Sequence, residues 1–273
     1  MYATPARLVC NPEAAIGESP VADGDGIIWV DPITPRLLRF CDGRLEETPL
    51  VRPLWSLAAT PSGALAATLD GGFCTVSADG GIRPGPAAAV RAGCRFNDMA
   101  VDSKGGLWAG AMHKGVLAAR GALFHARTFD AEPLCVAEGF GVPNGMAFSA
   151  DGGTLFVIDT LARTLLALPV LGGGLGEPVI VTDFMNVPGK PDGMTLAPDG
   201  SFWVAMWGGS CVVRIGGDGA LLETLAIPAP HISSLCLAGS ILFVTTSRMR
   251  LSPQQLADHG GSGGLFAIDL EGV

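Results

Sequence analysis

Glu18, Asn97, Asn144 and Asp192 stand ten, ten, eleven and ten residues before Ile28, Leu107, Leu155 and Phe202, which occupy one position in four similar short apolar runs. If those runs belong to repeats arranged round an axis, side chains at one phase of the repeat meet on that axis. Two carboxylates and two carboxamides brought together there repel one another and are costly to desolvate. They either border a solvated tunnel with ordered water or enclose a cation. One such residue alone fits the tunnel; four in one phase favour the cation. Carboxylates and carboxamides without thiolate or imidazole form a hard-oxygen set, which suits Ca²⁺, Mg²⁺ or Mn²⁺ and admits Zn²⁺ or Fe²⁺ where supply dictates.

The elements that must position these residues are legible as a repeat. A small or acidic residue, then Gly, then an apolar triplet occurs at Asp25-Gly26-Ile27-Ile28-Trp29-Val30, Ser62-Gly63-Ala64-Leu65-Ala66-Ala67 and Lys104-Gly105-Gly106-Leu107-Trp108-Ala109. It returns at Asp151-Gly152-Gly153-Thr154-Leu155-Phe156-Val157, Asp199-Gly200-Ser201-Phe202-Trp203-Val204 and Gly239-Ser240-Ile241-Leu242-Phe243-Val244. From Ile28 through Leu65, Leu107, Leu155 and Phe202 to Leu242 the steps are 37, 42, 48, 47 and 40 residues, within the roughly 40–50 of a β-propeller blade. A second strand follows each unit, at Leu37–Phe40, Phe73–Val76, Leu117–Ala119 with Leu123-Phe124, Leu165–Leu168, Cys211–Ile215 and Leu265–Ile268. The expected architecture is all-β: one six-bladed β-propeller domain over residues 1–273 with a metal site in its central channel. The remaining positions of the inward phase are Trp55 and Ser233.

Composition agrees and excludes other classes. Gly or Pro supplies 59 of the 273 residues, yet 48% are hydrophobic and 16% charged. That is a chain with a large core and many turns, neither disordered nor a helical bundle. The formal net charge is −9, there are only three lysines (Lys104, Lys114, Lys190), and no basic run occurs. Nucleic acid and anionic membrane are therefore not expected partners. Residues 1–7 lack the basic start and apolar stretch of a secretory signal, so a cytoplasmic location is expected. The 24 uncharged residues between Glu223 and Arg248 contain Pro228, Pro230 and His231 and read as two strands and a turn, not a membrane span. Seven cysteines without a C-x-x-C pair read as small apolar fillers in a reducing compartment.

The motifs as they stand are Gly17-Glu18-Ser19-Pro20-Val21 with Trp29-Val30-Asp31; Arg95-Phe96-Asn97-Asp98-Met99-Ala100-Val101-Asp102 leading to Gly106-Leu107-Trp108-Ala109-Gly110-Ala111-Met112; Pro143-Asn144-Gly145-Met146-Ala147-Phe148-Ser149; and Pro191-Asp192-Gly193-Met194-Thr195-Leu196. In this order they resemble the regucalcin/gluconolactonase (senescence marker protein) family of six-bladed propellers. The resemblance implies that Glu18, Asn144 and Asp192 hold one divalent metal ion and that Asp192 is also the general acid/base. It further implies that Arg95 and Asn97 contact substrate oxygens, although related propeller phosphotriesterases use the Asn97 position as a metal ligand. The implied activity is hydrolysis of a sugar-derived lactone by a monomer or small homo-oligomer. A phosphotriesterase-like or promiscuous esterase, and a non-catalytic ligand- or protein-binding propeller, are the alternatives. The family Glu that helps bind the sugar in animal regucalcins is replaced by Gly115, beside His113 and Lys114.

Other residues receive plainer readings. No G-x-S-x-G elbow occurs, and the four histidines are scattered, so a Ser-His nucleophile is not expected. His231, near the inward phase, is expected to be structural or to contact substrate. Trp55 and Trp207 are candidate pocket walls. Asp31, Asp70 and Asp159 are read as acceptors of backbone hydrogen bonds at turns, and Asp98 and Asp102 as structural. The Gly172–Gly176 stretch is read as a hairpin turn.

Overall fold

The computed structural model describes residues 4–172 and 174–270. The described chain is almost entirely strand, with one short helix at Pro253–Asp258. Antiparallel sheets follow one another along the chain. The first runs Glu18–Asp23, Gly26–Asp31, Arg36–Cys41, Arg44–Pro49, and the second starts at Leu57–Ala59. The third starts at Cys94–Val101, and the fourth at Pro143–Phe148. A larger sheet joins two further runs, one starting at Lys190–Leu196 and one at His231–Ala238, through the single pair Trp207↔His231. The last run is completed by Arg7–Cys10, which pairs with Leu265–Asp269.

The innermost strands neighbour one another in a closed cycle. Glu18–Asp23 packs beside Leu57–Ala59, then come Cys94–Val101, Pro143–Phe148, Lys190–Leu196 and His231–Ala238, which returns to Glu18–Asp23. The apolar triplets of the repeat fill the spaces between sheets. Trp108 and Leu123 meet Met146 and Leu155 between the third and fourth, and Trp29 and Leu38 meet Cys236 and Leu265 where the last run adjoins the first. Trp29, Trp108 and Trp203 are fully buried, and each contributes roughly 3–5 kcal/mol of apolar burial.

One expected strand is displaced. Leu117–Ala119 is not strand; Gly121–Ala126 takes that place. Val116 and Ala119 have φ of 55° and 54°, a left-handed turn that no strand accommodates. At the other Gly-rich stretch, Val170 and Leu171 pair back with Leu175 and Gly174, the expected hairpin, with Gly173 outside the described residues. No helix among the described residues is long and apolar enough to cross a membrane. All seven cysteines are free.

Candidate active site

Five of the six inner strands break register at the phase singled out by the repeat, and Leu57–Ala59 alone pairs without a shift. The pairing shifts between Glu18 and Val21, Phe96 and Met99, Pro143 and Met146, Pro191 and Met194, and Ile232 and Ser234. Such bulges re-aim side chains that a regular ladder would alternate across the sheet. Ser19, at the first bulge, has φ of 48°. The glycines after Asn144 and Asp192 allow neighbouring inner strands to close up. A Cβ on Gly145 would lie 2.5 Å from the Met194 nitrogen, and one on Gly193 would lie 2.7 Å from the Ser234 Cα.

Two turn aspartates hold the chain that feeds these bulges. Asp31 accepts from the N–H groups of Ala15 (2.9 Å) and Ile16 (3.4 Å), just before Glu18. Asp159 accepts from Gly141 (2.7 Å) and Val142 (3.1 Å), just before Asn144. The donors stand three and two residues ahead of the phased residue in both sheets. Asp102 takes the N–H groups of Lys104 and Gly106 and the Trp108 Nε1, each at 2.9 Å. These three follow the sequence reading.

Of the expected site residues, the bulges bring Asn144 and Asp192 into direct contact: the Asn144 amide donates to Asp192 Oδ1, and also to Thr160 Oγ1 at 3.2 Å. Burial and the neighbouring Asp98 charge push the Asp192 carboxyl well above the usual carboxylate range, against the Asn144 hydrogen bond. Glu18 faces the same space. Burial, then the Asp192 and Asp98 charges, raise its carboxyl well above the usual range, and Arg95 only partly offsets them. Arg95 Nη1 donates to Asn97 Oδ1 at 2.9 Å, and the Asn97 amide donates to the Pro143 carbonyl at 3.1 Å. Burial lowers the Arg95 guanidinium to about 10 against the favourable Glu18 and Asp70 charges.

Asp70 departs from the sequence reading, and Asp98 has a position that reading did not give it. Asp98 accepts from Met99 N at 2.8 Å and Ser19 Oγ at 3.4 Å, as a structural residue does, but it also lies beside the cluster and is raised by burial to about 6. A signal for it was present. In the position after the phased residue stand Ser19, Ser56, Gly145, Gly193 and Ser234, all small, and Asp98 is the exception. It borders a cavity of about 370 Å³ that also touches Ser19, Thr195 and Ser234. Asp70 accepts from Trp55 Nε1 (2.7 Å) and Lys114 Nζ (2.8 Å) instead of backbone donors. One of the missing donors is explained by Pro53: it sits two residues before Trp55, where Ile16 and Val142 supply an N–H to Asp31 and Asp159, and proline has none to give.

The Trp55 indole lies under Arg95, the guanidinium carbon 3.6 Å from the ring centre. Trp207 stacks on His231 at 4.4 Å and 10°. Ser233 is structural, donating to the Gly17 carbonyl at 2.5 Å. A wider groove of about 830 Å³ lies off the axis, bordered by Arg52, Trp55, Asp70 and Cys94; only Trp55 and Asp70 connect it to Arg95. We place the chemistry at the carboxylates because the charged groups converge there.

Among the described residues no group of three or more His, Cys, Asp or Glu side chains is arranged to hold a metal ion. A ligand set here would draw on oxygens other than carboxylates as well. Asn144 meets that need: its nitrogen donates to Asp192 and Thr160, which leaves Oδ1 as its accepting atom. With two carboxylates pushed up by burial and mutual repulsion, the donor chemistry fits a hard divalent cation.

The family model described as the SMP-30/gluconolactonase/LRE-like region matches residues 16–248. The chain belongs to this family. It is 31% identical to a pentonolactonase of Haloferax volcanii over 248 residues, 88% of this chain and 84% of the relative. It is 28% identical to a 6-deoxy-6-sulfogluconolactonase of Pseudomonas putida, covering 96% and 93%, and 27% identical to pig (Sus scrofa) regucalcin, covering 94% and 91%. Among solved structures, a calcium-binding protein, regucalcin, from Agrobacterium tumefaciens superposes with a TM-score of 0.89 at 23% identity, covering 97% and 93%. A gluconolactonase from Xanthomonas campestris superposes at 0.78 and 21%, covering 97% and 89%. At those identities the two structures speak to fold: the sheets are arranged as in regucalcin-like propellers.

Proposed function

We propose that this chain is a single six-bladed propeller that hydrolyses a sugar-derived lactone with the help of one divalent metal ion, Glu18, Asn144 and Asp192 being its ligands. The observation that carries the proposal is the convergence of these three with the Arg95–Asn97 pair at the bulges of the inner strands. Lactonase names among relatives that span most of the chain support the substrate class. That a structure of the same fold is described as a calcium-binding protein, regucalcin, supports the divalent ion, and the strand cycle with its intervening apolar clusters supports the blade count. A cytoplasmic setting accords with seven free thiols.

When bound, the cation would polarise the lactone carbonyl and make a nearby water more acidic. The chain's own residues do the rest. Asp192 accepts the proton of the attacking water and returns it to the departing ring oxygen. The Asn144 amide fixes the Asp192 carboxylate through Oδ1, leaving its second oxygen to the reaction. Arg95, its charge kept close to Glu18 and its Nη1 on Asn97, orients substrate oxygens and offsets negative charge developing on the carbonyl oxygen. Ring opening of a lactone needs no covalent intermediate, which accords with the lack of a Ser-His pair.

The test is acid release from a panel of pentono- and hexonolactones, by protein supplied with Ca²⁺, Mg²⁺, Mn²⁺ or Zn²⁺ and by chelated protein. We expect at least one lactone to open with metal and none without. Opening no faster than in buffer across the panel would sink the proposal.

A further inference from the structure

Arg95 does not find its place by its own hydrogen bonds alone. From the exposed edge of the site inward run four contacts in series: Lys114 Nζ to Asp70 Oδ2 at 2.8 Å, Trp55 Nε1 to Asp70 Oδ1 at 2.7 Å, the Arg95 guanidinium on the Trp55 ring at 3.6 Å, and Arg95 Nη1 to Asn97 Oδ1 at 2.9 Å. Three strand ends from two sheets contribute. Trp55 precedes the second sheet's inner strand, Asp70 follows that sheet's next strand, and Lys114 follows the third sheet's second strand. In the first and fourth sheets the aspartate at the corresponding strand end accepts two backbone N–H groups from the segment that leads into the inner strand, besides two from its own turn, and Pro53 removes one of the former here. The carboxylate so released has turned to an indole N–H.

A ring under a guanidinium confines it to a plane but leaves it free to slide; an indole pinned at Nε1 cannot turn about its own bonds, so the plane itself is fixed. A substrate-orienting group acts at full effect only when held within a fraction of an ångström of its working position. We propose that Asp70 is a positioning residue of the site: held by Lys114, it pins the Trp55 indole and thereby sets the plane in which Arg95 meets the substrate. This rests on the lactonase reading for its kinetic readout, and not for its structural one.

The experiment is a mutant cycle on the full chain with the lactone opened fastest by the wild type. Asp70→Ala is expected to lower kcat/KM about ten-fold, in whichever of KM and kcat Arg95→Lys also changes, whereas Asp70→Asn, which keeps an oxygen acceptor for Nε1, stays within about three-fold of wild type. Trp55→Phe keeps a ring under Arg95 but loses the N–H, so it too should cost about ten-fold, and adding Asp70→Ala to it should cost no more than about two-fold further. Either single variant within two-fold of wild type, or full additivity in the double variant, overturns the proposal. Trp55→Phe carries the test if Asp70→Ala does not fold. Tryptophan emission supplies the readout without turnover. The Trp55 component, taken as wild type minus Trp55→Phe, should shift in Asp70→Ala and not in Asp70→Asn, and an unshifted component overturns the pin. If the wild type opens no lactone, the lactonase reading is lost while the emission shift still decides the role of Asp70.

Discussion

Two sets of acidic residues serve the same inner strands in this protein and meet opposite fates. At the strand ends, Asp31 and Asp159 are buried but surrounded by donors: each accepts four backbone N–H groups, and Asp31 also pairs with Arg36 at 3.2 Å. On the inner strands, Glu18, Asp98 and Asp192 are held near one another with few donors between them, and all three are pushed upward by burial. A carboxylate satisfied by local N–H groups organises the chain. One left short of donors beside others of like charge needs a cation, a proton or a substrate to complete it. The first set builds the platform for the second, since Asp31 and Asp159 hold the segments from which Glu18 and Asn144 project.

Exchanging damage between the two sets should separate chemistry from architecture. The largest effect is expected for Asp192→Ala: lactone opening falls by about three orders of magnitude with the melting temperature unchanged or higher, because general acid/base work is lost together with a repulsive buried charge. Initial rates beside a thermal melt check it; a variant that melts early and keeps its rate per folded molecule would dissolve the distinction. Next comes chelation of the wild type, expected to cost about two orders of magnitude in rate and to be reversed by restoring a divalent ion. Asp159→Ala should do the reverse of Asp192→Ala, losing about 3 kcal/mol of stability through stranded N–H donors, with kcat per folded molecule little changed; urea unfolding and active-site titration report the two quantities separately.

The repeat made the first set and most of the second legible in the sequence, because the bulges that carry Glu18, Asn97, Asn144 and Asp192 fall at nearly the same count from their apolar triplets. Asp98 escaped because it neighbours a phased residue, and a regular strand would have pointed it away from the axis. Asp70 escaped for a different reason: its partners are a tryptophan and a lysine brought by separate sheets, and only the missing N–H of Pro53 hinted that the turn pattern of Asp31 would fail there. The exposed loop at Val116–Ala119 was unreadable because its left-handed residues are not glycines.

The smallest predicted effect sharpens the inner set. In the folded, chelated protein Asp98 keeps its proton up to about 6, whereas in the unfolded chain it loses it near 4, so unfolding releases protons between those values and stability falls as pH rises through about 4 to 6. The raised Glu18 and Asp192 carboxyls act in the same direction. Urea midpoints at a series of pH values should show this fall, shallower in Asp98→Asn and abolished when a divalent ion is bound. A midpoint that instead rises steadily from pH 4 to 6 would refute the raised Asp98 carboxyl.

The pairing of Arg7–Cys10 with Leu265–Asp269 has a consequence in time. Arg7–Cys10 is made long before its partner Leu265–Asp269, so on the ribosome the early sheets can assemble while the last run stays one strand short. Closure is then a late event joining strands far apart in the chain, the kind of long-range step that slows folding. Until it happens, the inner strands that carry Glu18 and Ser233 have not met, and every partly made chain is a molecule whose site is still open on one side.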